Sequence, residues 1–175
     1  MFIQRLLICT AITVPAAAFA LSDNTLQFQG EVTNQTCQVT INGNKTMPIV
    51  LLPTTPISKL TAANMTAGRT EFSMEVSGCT VATTALDIKT VFIATTPNAA
   101  GRMSNTGDAT GVSLQIVDPV NAYRVVNLAG QGETGVQVAV GATSATRKYA
   151  VEYVADAVAG AGSVAGSVQY AISYK

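Results

Sequence analysis

Residues 162–175 read GSVAGSVQYAISYK, and their second half alternates as a strand does. Val168, Tyr170, Ile172 and Tyr174 fall on one face, while Gln169, Ala171, Ser173 and Lys175 fall on the other. Chain ends fray unless something ties them down. Four large apolar or aromatic side chains on one face therefore predict a terminal strand held in a sheet. Its second neighbour is expected to come from earlier in the chain or from another protein.

The opposite end is expected to be removed. Arg5 supplies a positive start, Leu6 to Val14 an apolar run, and Ala18-Phe19-Ala20 a small-x-small cleavage site. That run falls well short of the roughly 20 residues a spanning helix needs, so residues 1–20 read as a secretory signal rather than an anchor. Ile8 before Cys9 is too bulky for a lipid-attachment site, and the apolar run continues past it. Taking 20 of the 175 residues away leaves about 155, enough for one domain with a sizeable core. No membrane span is expected in what remains.

Arg5 is the only charge lost with the signal, so the mature chain carries nine basic and ten acidic residues. A near-neutral chain without a basic patch argues against nucleic acid as a partner. Charged residues make up only 11% of the sequence, where about 25% is usual. A surface so poor in charge suits a protein packed against copies of itself. Removing the signal also removes Cys9, leaving Cys37 and Cys79 as an even pair in an exported protein. A disulfide is the expected state in an oxidising compartment, with two buried thiols as the alternative.

Between the ends, short alternating runs are punctuated by Gly, Pro, Asn and Asp. Leu26, Phe28 and Val32 open an extended strand; Cys37, Val39 and Ile41 continue the rhythm to the turn signal Asn42-Gly43. Residues 47–52 read as a returning strand, and 54–68 as a loop with one helical turn around 60–65. Phe72, Met74 and Val76 alternate into Cys79. In 86–93 the apolar parity switches from Leu86 and Ile88 to Val91 and Ile93, predicting a bulge near Lys89-Thr90 or a strand buried on both faces. Strands are further expected at 112–116, 123–128, 136–140 and 149–153, before the Ala/Gly-rich link 155–162. Eight to ten short strands with turn signals predict an all-β antiparallel sandwich.

The chain contains no histidine and no tryptophan. A Ser-His-Asp or Cys-His site cannot be assembled, and zinc loses its commonest ligand. The acidic residues are scattered, and Glu71, Glu75 and Glu152 are expected on solvated strand faces. No cofactor, metal site or catalytic residue is expected. Exported sandwiches often bind sugars, which makes a lectin-like carbohydrate-binding module the alternative. The aromatic residues mostly occupy inward positions, however, rather than forming a platform.

The order of these segments resembles the major subunits of chaperone–usher fimbriae, the type 1 pilin family, over essentially the whole length. Phe28-Gln29-Gly30-Glu31-Val32-Thr33-Asn34 followed by Cys37 is similar to the family's first strand and first cysteine. Phe72 to Cys79 resembles the strand carrying the second cysteine, and Gly111 to Asp118 the mid-domain strand. Tyr153-Val154-Ala155 precedes a small-residue loop, and Gly162 with penultimate Tyr174 reproduces the C-terminal signature.

The resemblance implies an incomplete immunoglobulin-like antiparallel β-sandwich, lacking its last strand and completed by a donor strand from another protein. It divides the chain into a signal peptide (1–20), an N-terminal donor-strand extension (21–29) and a pilin domain (30–175). Leu21, Leu26 and Phe28 would plug a neighbour's groove, and Val168, Tyr170, Ile172 and Tyr174 would line this chain's own. The carboxylate of Lys175 would anchor on a periplasmic chaperone, and Cys37–Cys79 would be the family disulfide. Gly30 and Gly162 would be signature glycines. Implied partners are that chaperone, an outer-membrane usher, further copies of the chain and tip subunits. The product would be an adhesive extracellular fimbrium on a bacterial surface. One departure is visible: Leu21 to Gln27 is short for a shaft subunit, with Ser22 and Asn24 where apolar plugs are expected. This leaves a minor or adaptor pilin as an alternative to a shaft subunit.

Overall fold

A computed structural model describes Val32 and residues 37–81, 83–130 and 134–174. The expected signal peptide, the extension with Leu21, Leu26 and Phe28, and Gly30 and Lys175 lie outside the described residues.

Nine strands occur among the described residues: β1 (Gln38–Ile41), β2 (Thr66–Ser77), β3 (Leu86–Ala94), β4 (Met103–Ser104), β5 (Val112–Asp118), β6 (Arg124–Val125), β7 (Thr134–Val138), β8 (Ala145–Ala155) and β9 (Val168–Tyr174). They form two antiparallel sheets. The larger has the order β1-β2-β8-β5-β4, with β6 also on β5; the smaller has the order β7-β3-β9. This is the all-β sandwich that the strand pattern predicts.

Strict alternation places the core. Phe72, Met74 and Val76 of β2 and Tyr149 and Val151 of β8 point from the larger sheet toward Phe92 of the smaller one, all of them buried. The Tyr149 ring stacks on Phe72 at 5.8 Å and meets Phe92 edge-on at 5.1 Å, so one aromatic cluster joins the two sheets. Cys37 and Cys79 are bonded, tying the entry of β1 to the exit of β2. Around them Val76, Ile88, Val136 and Val138 form a second cluster at one end of the sandwich.

Several expectations need correction. β3 runs through 86–94 without a register shift against either neighbour. Its inward set is completed by Thr90 and Phe92, each 1% exposed. The parity switch arose because Val91 and Ile93 face outward, and a buried Thr does not register in an apolar count. β2 begins at Thr66 rather than after a loop ending at 68, with an irregularity between Ala67 and Thr70. The helical turn sits at Ile57–Lys59, earlier than expected. Only Arg124 and Val125 pair as a strand in 123–128. The chain beyond them crosses to the smaller sheet, where the Leu128 carbonyl accepts from the Ala94 amide at 2.9 Å. Val140 lies just past β7 and is exposed.

Glu152 is not solvated. It is 3% exposed on the outer face of the larger sheet, accepting from Arg69 Nε and Gln115 Nε2 at 2.8 Å each. That bond to the carboxylate raises the Arg69 guanidinium further above its ordinary value. A buried carboxylate needs such partners, and they come from flanking strands invisible to a local reading. Glu71 does lie at the surface, beside Lys148.

Candidate functional site

Among the described residues, one edge of the sandwich has no further strand beyond it. β9 pairs with β3 on one side, from Ile88 opposite Tyr174 to Ala94 opposite Val168. Among the described residues it is the outermost strand of its sheet. The inward residues of β3 are essentially covered: Ile88, Thr90 and Phe92 at 1% and Ala94 at 4%. Their neighbours Val168, Tyr170, Ile172 and Tyr174 are only half-buried. Identical alternation with unequal burial marks a face that the described residues cover only in part.

The facing wall is residues 47–52, which the alternation predicted as a strand. They form none within the described residues, and none of their amides or carbonyls joins another described backbone group there. The Asn42-Gly43 turn does form: both residues are left-handed, and Ile41 and Asn44 exchange two 2.9 Å bonds. Met47 is then also left-handed, with φ of 47°, and among the described residues the pairing with β1 stops at the Ile41–Asn44 bridge. Beyond it Val50 and Leu52 lean onto the core while Ile49 and Leu51 face out, exposed. The segment has the pattern of a strand without the ladder of one.

Between these walls lies a cleft of about 200 Å³, with Val50, Leu52, Val168 and Tyr170 at its sides. Phe72, Phe92, Leu114, Ile116 and Val151 form its floor. Its lining is mainly apolar, with Ser167 among its polar members, and carries no ionisable group except the Tyr170 phenol. Among the described residues no three His, Cys, Asp or Glu side chains converge to hold a metal ion. The chemistry on offer is that of a strand: apolar sockets at every second position and a backbone edge on either side.

Both walls are fixed at one end. The Tyr153 hydroxyl donates to the Pro53 carbonyl at 3.2 Å, and burial pushes this phenol above its ordinary pKa, keeping the donating form. At the start of β9, Ser167 accepts from the Thr95 amide at 3.0 Å. Gly162 lies in the loop leading there, packed so closely on residues 108–109 that a Cβ would sit 2.4 Å from the Ala109 nitrogen.

Val168 and Tyr170 thus line the cleft, whereas Ile172 and Tyr174 continue the same face onto the cluster near the disulfide. Sequence reasoning did not assign Val50 and Leu52 to the site. Their alternation within 47–52, stopped by Pro53, was the available signal. Phe92 and Leu114 were also missed as floor residues, since nothing local distinguishes floor from core.

No protein-family model matches the chain. It is 36% identical over 169 residues to the major fimbrial subunit SMF-1 of Stenotrophomonas maltophilia (strain K279a), covering 91% of this chain and 96% of that one. It is 30% identical over 161 residues to the F17 fimbrial protein of Escherichia coli, covering 87% and 88%. The fold is similar to that of the P pilus rod subunit PapA, with a TM-score of 0.61 at 13% identity over 79% of this chain and 99% of that one. A subunit in a chaperone–usher pilus structure gives a TM-score of 0.60 at 13% identity, covering 91% and 100%.

Proposed function

The chain belongs to the family of fimbrial subunits, structural proteins of pili on the cell surface, and on that premise we propose that its open edge is filled by a strand from a second polypeptide. The observation carrying this reading is the half-burial of Val168, Tyr170, Ile172 and Tyr174 beside fully buried partners on β3. An uncapped edge of this kind is a hazard in an exported protein. A strand laid between β9 and residues 47–52 would cover both apolar rows and pair both backbones.

In the filament that strand is Leu21–Gln29 of the next copy, nine residues that extend about 30 Å, enough for the seven residues of β9. Before assembly a periplasmic chaperone lends the strand, and the Lys175 carboxylate anchors there. An outer-membrane usher is where one donor replaces the other.

Topology supports one direction for the donor. β9 ends, and the chain before β1 begins, at the disulfide end of the sandwich, where Cys37 and Tyr174 join one cluster. A donor parallel to β9 would place the next body where the acceptor's own extension must leave. An antiparallel donor exits at the far end, so each body keeps one end for each neighbour. The joint is heterologous and does not close, and growth is linear.

Tyr170→Asp tests the groove. A carboxylate on the cleft wall costs about 3 kcal/mol or more on burial, weakening any donor's hold on the order of a hundredfold. Periplasmic subunit bound to its chaperone should fall below detection, and filaments with it. Unchanged levels of both would contradict the assignment.

A further inference from the structure

We infer that the two ends of the sandwich form a second contact between consecutive copies, body against body, with Val81 and Val140 of one copy meeting Ile57 and Val158 of the other. This rests on the antiparallel donor reading. Exposed apolar side chains occur at both ends of the body: Val81 is 58% exposed and Val140 63%, Ile57 is 53% and Val158 71%.

Hydrogen bonds place the first pair at the disulfide end. Val138, two residues before Val140, is opposite Leu86 at the start of β3, and the Cys79 amide donates to the Thr143 carbonyl at 3.0 Å. The other pair is at the far end. There the Ala159 amide donates to the Leu60 carbonyl at 3.0 Å, and the Leu60 amide to the Ile57 carbonyl at 2.9 Å. A cavity of about 380 Å³ opens beside this second pair, with Ile57, Leu60 and Ala159 in its wall.

The occupant follows from where the chain leaves the body. Cys37 itself lies at the disulfide end, and only residues 30–36 separate the expected donor from it. Seven residues reach at most about 25 Å, so the next body is held near the groove's exit with its disulfide end foremost. Apolar side chains at both facing ends then meet as the joint forms. The occupant of each end is another copy of this chain. The contact would stiffen a joint otherwise made by one strand and its short link.

Paired cysteines test it in assembled filaments: Val81→Cys or Val140→Cys, each combined with Ile57→Cys or Val158→Cys. Pairs whose Cα atoms come within about 7 Å can bridge. At least one combination should give, after oxidation and heat denaturation, a ladder of multimers that reductant collapses to monomer. The pair Val125→Cys with Val158→Cys, which places one thiol on β6, should give none. Filaments without a ladder from any of the four combinations, or an equal ladder from the Val125 pair, would overturn the contact. Should the cysteine chains not assemble, Val140→Asp with Val158→Asp gives a second reading: filaments with unchanged subunit spacing but shortened persistence length. Undiminished stiffness there would also overturn it. Absence of filaments from the unaltered chain would instead strike the donor reading.

Discussion

A chain lacking Leu21–Gln29 should fold, bind its chaperone and form no filaments. Every groove residue described above lies after Cys37, so the deletion leaves the acceptor intact: Val50, Leu52, Val168 and Tyr170 still flank the cleft. What disappears is the only segment proposed as donor. A polymer whose every joint uses that segment loses all of its joints together, and the expected effect is complete. Electron microscopy of cells expressing the deleted chain with its chaperone and usher would check this, alongside recovery of the chaperone complex. Filaments of normal length would show that another segment is the donor.

Replacing both cysteines, Cys37→Ser with Cys79→Ser, should have the next largest effect. The bond closes a loop with a sequence separation of 42. The chain-entropy model gives about 4 kcal/mol for such a loop, against the 5–15 kcal/mol of a typical domain. A sandwich missing one strand begins with less than its full share of buried apolar surface, so this loss weighs heavily. The bond also lies beside Val76, Ile88 and Val138, on which Ile172 and Tyr174 rest. Denaturant unfolding of the donor-completed subunit should show a drop of roughly that size, and exported yield should fall with it. A drop under about 1 kcal/mol would mean the bond constrains little that the fold does not already fix.

Most of the sandwich was legible because alternation survives wherever one face is buried. Phe72, Met74 and Val76 announced β2, and the C-terminal alternation announced β9, whereas the half-burial of its apolar face became visible only in the structure. Asn42-Gly43 was legible as a turn because its left-handed geometry is so restrictive. The pairing partners were not legible. Glu152 looks like any surface carboxylate until Arg69, 83 residues away, is brought beside it. Thr90 carries a polar label that hides an inward position. Residues 47–52 show the opposite failure: the strand pattern is correct, yet no ladder forms there among the described residues. An alternating pattern reports which side chains want cover, and says nothing about whether the neighbour belongs to the same chain.

The most direct measurement uses the chain from Gly30 onward, refolded alone and then with increasing amounts of a peptide carrying residues 21–29. Donor-strand completion predicts a weakly stable subunit whose denaturation midpoint climbs with peptide and saturates once the groove is full. A durable monomer whose midpoint ignores the peptide would contradict it.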